Sequence, residues 1–167
     1  MQIVNLYIYT TVRGPQRQDG GYAYVLETMT SKGPATCPDT GELNRVTEHQ
    51  AYLLALTTAI KRITRRCELI IHIDSVFIES CAEKWLAVWR KNGWKNAKGQ
   101  QIANVEEWME LALLLDIFKV RFVVGEKNTY SSWLKTESER VKNIVQDRKD
   151  HLLSARSRAD HFTDYDR

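Results

Sequence analysis

The sequence has few cysteines, no long apolar run and little net charge. Its three cysteines, Cys37, Cys67 and Cys81, are widely spaced and form no CxxC pair, which argues against a zinc site or a disulfide framework and favours idle thiols in a reducing compartment. No apolar run is long enough to span a membrane, and the N-terminal residues lack the basic and apolar regions of a signal peptide. These absences predict a cytoplasmic protein without a membrane partner.

The net charge of +3 is too small to indicate nucleic-acid binding by itself. Any such function has to rest on local clusters of basic residues. The rest of the composition is ordinary, because 43% of the 167 residues are hydrophobic and 27% are charged. A chain of this length and composition is typical of one globular domain.

One short stretch, residues 69–75, combines a buried strand with a carboxylate. Strand-forming residues run to Ile73, and a helical pattern begins at Ser75. Asp74 lies at the junction, where a carboxylate is costly unless a cation, a metal ion or a helix N-terminus pairs with it. Asp74 is therefore the first candidate for a functional residue, and capping of the following helix is the alternative interpretation.

The hydrophobic periodicity predicts a mixed α/β order. Strands are predicted at residues 3–10, 21–28, 69–74 and 119–124. A further strand between residues 30 and 40 is expected to be short or at a sheet edge because Gly33, Pro34 and Pro38 interrupt it. Helices are predicted at residues 47–64, 75–89, 105–116 and 132–153, followed by a frayed tail. A meander followed by αβ units gives a mixed sheet with helices on its faces.

The first two predicted helices each carry a feature that bears on the site. The helix at residues 47–64 has Thr47 or Asn44 as a cap and Glu48 in its first turn, where a negative charge is favoured. An ordinary first-turn charge is the alternative interpretation of Glu48. The helix at residues 75–89 is expected to have one apolar side that consists of Phe77, Ile78, Cys81, Trp85 and Val88.

A basic insert with two glycines follows at residues 91–101. Residues 83–101 include one acidic side chain and five basic ones, which are Lys84, Arg90, Lys91, Lys95 and Lys98. Two tryptophans, Trp89 and Trp94, are interleaved with the basic residues. This pattern favours a protruding element that binds nucleic acid. The alternative is a solvated loop with Trp94 packed against the core.

Together these features resemble the type 1 ribonucleases H over residues 1–145. Gly20-Gly21-Tyr22 resembles the family's second strand, and Ile73-Asp74-Ser75 resembles its Thr-Asp-Ser junction. The most specific part resembles the Trp-rich basic protrusion, or handle, with which this family holds RNA/DNA hybrid; its matching residues are Trp85, Trp89, Gly93, Trp94 and Lys95, followed by Asn104, Val105 and Trp108.

The resemblance implies an α/β ribonuclease H-like fold. Its five-stranded mixed sheet has three antiparallel strands and then two parallel ones, is flanked by helices, and carries the handle at about residues 90–104. The domain is expected over residues 1–153, and residues 154–167 are assigned to a charged C-terminal tail. The family's chemistry is metal-assisted hydrolysis, in which four carboxylates hold two divalent ions such as Mg²⁺ or Mn²⁺. Glu48 matches the family's helix glutamate, and Asp74 matches its strand aspartate.

Two positions of the family's site are not matched. Where the first-strand aspartate belongs, the chain has Thr10 and Thr11, and the nearest carboxylate is Asp19 in the following loop. The last-helix aspartate is expected near Thr136, and Glu137 lies one residue further on. Neighbouring dications repel each other unless anionic ligands surround them. The candidate catalytic and metal-binding set of Glu48, Asp74 and Glu137 therefore predicts at most one weakly held ion.

Three hypotheses follow. In the first, the domain binds RNA/DNA hybrid or a related duplex and cleaves it weakly or not at all. In the second, it is an active ribonuclease that uses Glu48, Asp74, Glu137 and either Asp19 or Glu126. In the third, it is an interaction domain for a protein partner or for self-association. The expected nucleic-acid contacts are Arg13, Asn44, Arg45, Trp85, Trp89, Lys91, Trp94, Lys95 and Lys98.

Overall fold

The computed structural model describes residues 1–163 of the chain, and the side chains of residues 1–161. Five strands form one sheet in the order β3-β2-β1-β4-β5: β1 (Ile3–Thr10), β2 (Gln18–Thr30), β3 (Gly33–Val46), β4 (Glu68–Ile73) and β5 (Lys119–Val124). Neighbours among β1, β2 and β3 are antiparallel, whereas β4 pairs in parallel with β1 and β5 in parallel with β4. The predicted mixed sheet is confirmed.

Helices cover both faces of this sheet: α1 (Glu48–Ile60), α2 (Val76–Ser80), α3 (Leu86–Lys91), α4 (Val105–Leu115) and α5 (Ser131–Thr163). The main core lies between the sheet and helices α1 and α4, and includes Leu6, Leu53, Ile71, Trp108 and Leu111. Successive side chains of a strand point to opposite faces. A second cluster of Ala23, Val25 and Leu134 accordingly places α5 on the other face.

Strand β3 is much longer than predicted, with 14 residues. It is the edge strand, as expected, and Pro34 and Pro38 pair with Met29 and Val25 of β2. An edge strand tolerates proline where the missing N–H would face away from the sheet. The two prolines therefore do not shorten the strand, and the expectation of a short element is wrong.

Helix α1 is shorter than predicted. Its cap is Thr47, as expected, and the Thr47 hydroxyl accepts a hydrogen bond from the Gln50 amide at 3.3 Å. The helix ends at Ile60 because the amides of Arg62 and Ile63 donate to carbonyls three residues back, at 3.1 and 3.0 Å. This tight turn ends the helix before residue 64.

The helix predicted at residues 75–89 is interrupted. A π-helical turn at Cys81–Trp85 separates α2 from α3, and such a turn shifts the following residues around the helix axis. Phe77 lies next to the buried Ile78 and points about 100° away from it. The predicted apolar side is therefore wrong for three of its members, which are exposed: Phe77, Trp85 and Val88.

Helix α5 continues through part of the segment predicted as a frayed tail. It runs to Thr163, so that expectation is wrong for residues 154–163, and residues 164–167 lie outside the described part of the chain. The Arg148 guanidinium donates two hydrogen bonds to the Glu42 carboxylate, at 2.8 and 3.0 Å, and Lys149 pairs with Asp19. These contacts hold the middle of the helix against β3 and β2, and residues 154–161 continue it as an exposed extension.

Helix α5 docks on strand β2 at Gly21. A Cβ atom at this position would overlap the Ser138 carbonyl oxygen and the Cβ of Val141. The absence of a side chain at Gly21 therefore permits the close approach. This contact determines which side of α5 faces the sheet.

All three cysteines are free thiols. Cys67 and Cys81 are buried, and burial raises the pKa of the Cys81 thiol to about 11. A buried thiol with a raised pKa is chemically inert. Among the described helices, none combines the length and the hydropathy needed to cross a bilayer.

Candidate nucleic-acid interface

The start of helix α1 brings Glu48 to the loop between β1 and β2. The Glu48 carboxylate accepts a hydrogen bond from the Gly14 amide at 3.2 Å, and the Glu48 amide donates to the Gly14 carbonyl at 3.1 Å. Arg13 Nε lies 3.9 Å from the other carboxylate oxygen. Glu48 therefore anchors the loop; one of its oxygens accepts an N–H donor, and the other lies near the charge of Arg13.

Tyr52, one turn further along α1, connects Glu48 with Asp74. The buried Tyr52 hydroxyl donates a hydrogen bond of 3.4 Å to the Asp74 backbone carbonyl. Burial raises the pKa of Tyr52 to about 12; the Arg13 guanidinium opposes this rise, and the charges of Asp74 and Glu48 add to it. Both carboxylates thus act on one hydroxyl group, so the fold brings Glu48 and Asp74 to the same cleft.

Stability at alkaline pH is expected to depend on Tyr52. Its folded pKa of about 12 lies above the value of an unfolded tyrosine, so its contribution is fully present below about pH 10 and is lost as the pH rises through 12. The Tyr52→Phe variant should lack this loss, which amounts to about 2–3 kcal/mol in wild type. Urea unfolding between pH 8 and 12 measures the effect, and parallel pH curves for the two proteins would contradict it.

Arg13 lies beside Glu48 and is held by several contacts. Its Nη1 donates to the carbonyl oxygens of Thr10 and Val12 at 2.6 and 2.8 Å. Its guanidinium carbon lies 5.0 Å from the ring centre of Tyr9 and 5.9 Å from that of Tyr52. The side chain is 42% exposed. A permanent cation is therefore held beside Glu48 and remains open to solvent on one side.

A cavity of about 330 Å³ lies beside Asp74, between the end of β4 and the start of α5. Its charged lining comprises one further carboxylate and two lysines: Glu126, Lys127 and Lys135. Glu137, the residue predicted to stand here, is not part of the lining and accepts a 2.8 Å hydrogen bond from Arg140 Nε. The start of α5 therefore presents a lysine to Asp74 and not a carboxylate.

The end of strand β1 offers no carboxylate either. Thr10 is fully buried, and its hydroxyl accepts a 3.1 Å hydrogen bond from the Val12 amide. Asp19 is held elsewhere by Lys149 and by the Arg45 amide at 2.8 Å, and the Lys149 hydrogen bond keeps the pKa of Asp19 below its usual value. Asp19 does not reach the cleft, whereas Glu126, the other residue named for this role, lines the Asp74 cavity.

These residues do not fit a pair of divalent ions. Within residues 1–161, no group of three or more histidine, cysteine, aspartate or glutamate side chains is arranged to hold a metal ion. Glu48 already accepts a backbone hydrogen bond, and Arg13 and Lys135 place positive charge where the ions would need anions. No hydrolytic step through metal ions follows from this donor set.

The handle has tryptophans that pack against the domain and lysines that are exposed to solvent. Trp89 packs edge-on against the buried Trp108, with ring centres 5.5 Å apart, and Trp94 packs against the main core. The alternative interpretation was thus correct for Trp94. Trp85 is 52% exposed, and the other exposed members of the predicted contact set are Arg13, Asn44, Arg45, Lys91, Lys95 and Lys98.

Sequence reasoning missed an aromatic pair between α1 and α2. His49 stacks on Phe77 with ring centres 3.8 Å apart, and Phe77 is 47% exposed. Both residues also line a cavity of about 360 Å³ at the base of the handle, with Trp89 and Trp108. A flat aromatic surface of this kind can stack on a base or a sugar. The position of Phe77 directly after Asp74-Ser75-Val76 was the only available signal.

Comparison with known proteins gave consistent results. The RNase H family model matches residues 4–132. Ribonuclease H of Dichelobacter nodosus is 37% identical over 81 residues, which are 47% of this chain and 54% of the relative. The chain spans between 54% and 64% of the length of the curated relatives it matches first.

Two solved structures show the same fold. LC9-RNase H1, a type 1 RNase H with the type 2 active-site motif, has a TM-score of 0.69 at 18% identity, covering 85% of this chain and 72% of that one. LC11-RNase H1 in complex with RNA/DNA hybrid has a TM-score of 0.53 at 15% identity, covering 82% and 96%. At these identities the likeness establishes the architecture only.

Proposed function

The chain belongs to the ribonuclease H family, and we propose that it binds RNA/DNA hybrid or a related duplex while its metal-dependent phosphodiester hydrolysis is weak or lost. The charge of the cleft is the observation that supports weak or lost hydrolysis. Arg13 lies beside Glu48, and Lys135 lines the cavity of Asp74. A two-ion site needs anionic ligands at these places.

The handle supports the proposed binding of RNA/DNA hybrid or a related duplex. Lys91, Lys95 and Lys98 are exposed and have no ion-pair partner among the described residues. Unpaired lysines are free to neutralise backbone phosphates. The exposed rings of Trp85 and Phe77 add surfaces for stacking. LC11-RNase H1, which shares the fold, was solved in complex with RNA/DNA hybrid.

Handle binding is tested by titrating RNA/DNA hybrid at several salt concentrations. Replacement of Lys91, Lys95 and Lys98 by alanine is expected to lower the slope of log affinity against log salt by about 3, since each phosphate contact contributes about 0.9. The matched control replaces three exposed lysines outside the handle: Lys32, Lys119 and Lys142. Equal losses in both variants would show that the handle has no special role.

Hydrolysis is tested by incubating labelled hybrid with the protein and Mg²⁺ or Mn²⁺, beside an Asp74→Asn variant. We expect no cleavage that depends on Asp74. Cleavage that disappears in the variant would instead establish an active ribonuclease with unusual ligands, an alternative for which Glu126 in the Asp74 cavity is the favouring observation. Absence of hybrid binding at low salt would leave an interaction domain as the remaining function.

A further inference from the structure

The cleft contains its own cations. Arg13, Lys127 and Lys135 lie around it together with three carboxylates, those of Glu48, Asp74 and Glu126. The charges balance, whereas the family resemblance implies four carboxylates that require metal ions for neutrality. A neutral cleft with exposed cations can accept a phosphate group without importing a divalent ion.

Arg13 is held in position more firmly than an ordinary surface arginine. Two carbonyl oxygens fix its Nη1, and the rings of Tyr9 and Tyr52 lie within cation–π distance of its guanidinium. Its Nη2 donates no hydrogen bond to another described residue. A planar guanidinium that is already oriented loses little entropy when it forms paired hydrogen bonds to phosphate oxygens.

Tyr9 contacts both Arg13 and the cavity that contains Lys127 and Lys135. The ring that Arg13 contacts also lines the cavity of Asp74, Lys127 and Lys135. Neither lysine has an ion-pair partner among the described residues. The two sides therefore form one continuous surface with donors that are free to bind an anion.

We propose that Arg13 and Lys135 form a phosphate-binding site in place of the family's metal ions. The site takes a backbone phosphate of the bound duplex, with Arg13 donating to its oxygens and Lys135 acting as a point charge. This inference rests on the proposed binding function and deepens it, because it makes binding at the cleft independent of divalent ions. The retained Glu48 then serves to hold the loop that carries Arg13.

The first test compares hybrid binding in excess EDTA and in Mg²⁺ at matched ionic strength. Wild type is expected to bind equally, within about twofold, in both conditions. Arg13→Gln should weaken binding roughly tenfold in both conditions, the loss of one charge-assisted contact, and should lower the salt slope by about 1. Arg13→Lys should restore the slope but not the full affinity, because a point charge replaces a two-pronged donor. Arg66→Gln, an exposed arginine outside the cleft, is the matched control.

Lys135→Gln provides a second variant on an exposed helical position, in case Arg13→Gln destabilises the loop. It too should weaken binding and lower the salt slope by about 1. If hybrid binds but requires Mg²⁺, and both variants bind as wild type does, the phosphate site is refuted while the handle function stands.

The second test uses inorganic phosphate and needs no duplex. NMR of arginine-labelled protein should show a phosphate-dependent shift of the Arg13 Nε–H signal, and Lys135→Gln should reduce it. If hybrid does not bind at all, the proposed function fails and this titration alone decides the site. A shift confined to Arg13 supports the inference, whereas no shift, or an equal shift at Arg66, overturns it.

Discussion

Replacement of Trp108 by alanine is expected to lower the free energy of unfolding by about 3–5 kcal/mol. The Trp108 ring is 1% exposed and belongs to the main core. It also supports Trp89 edge-on, and its amide donates to the Asn104 carbonyl at 3.0 Å. The substitution therefore removes a large core side chain and the support of the handle together.

Urea unfolding measures this loss, and Trp133→Ala is the matched control. Trp133 is 38% exposed on α5, so its replacement should cost clearly less than that of the fully buried Trp108. At temperatures where Trp108→Ala remains folded, its affinity for hybrid should also fall, because the handle lysines lose their fixed position. If Trp108→Ala lowered the free energy of unfolding no more than Trp133→Ala does, the residues that support the handle would not be part of the core.

Removal of the two cleft cations, Arg13 and Lys135, with a carboxylate in place of Lys135, is expected to create a metal site. The variant combines Arg13→Ser and Lys135→Asp, which adds an anion to the cavity of Asp74 and removes two cations. Carboxylate oxygens are the ligands that Mg²⁺ and Mn²⁺ prefer. Metal should stabilise the folded variant by about 2.7 kcal/mol when the free ion is near 100 times its Kd.

Thermal unfolding with and without Mn²⁺ measures this linkage. The control carries Arg13→Ser and Lys135→Asn, which keeps nearly the same shape without the added negative charge, and it should show no specific stabilisation. The carboxylate variant should also acquire cleavage of RNA/DNA hybrid that the control lacks. Equal responses of the two variants to Mn²⁺ would contradict the view that charge alone separates this cleft from a metal centre.

Several elements followed directly from local sequence. Strands β1 and β5 have the predicted bounds, because both are rich in β-branched and aromatic residues. Strand β3 did not follow, since pairing along an edge overrode its prolines. The extension of α5 to Thr163 did not follow either. Residues 154–161 are exposed, so the extension has no buried apolar side that the sequence pattern could reveal.

The sequence by itself determined the lack of carboxylates at the end of β1, since Thr10 and Thr11 are read without knowledge of the fold. It also determined the basic handle, because its lysines lie within one short segment. These features depend on residue type and spacing, which no tertiary contact alters.

Only the tertiary structure decided which charge the last helix presents to Asp74. Lys135 and Glu137 lie about 200° apart around a helix, so a rotation of α5 by roughly half a turn would exchange them. That rotation is set where Ser138 and Val141 close on Gly21 of β2, a contact across more than one hundred residues. A different long-range contact, between Gly14 and the start of α1, placed Arg13 against Glu48. Helical periodicity defines the sides of a helix, but packing alone determines which side faces the cleft.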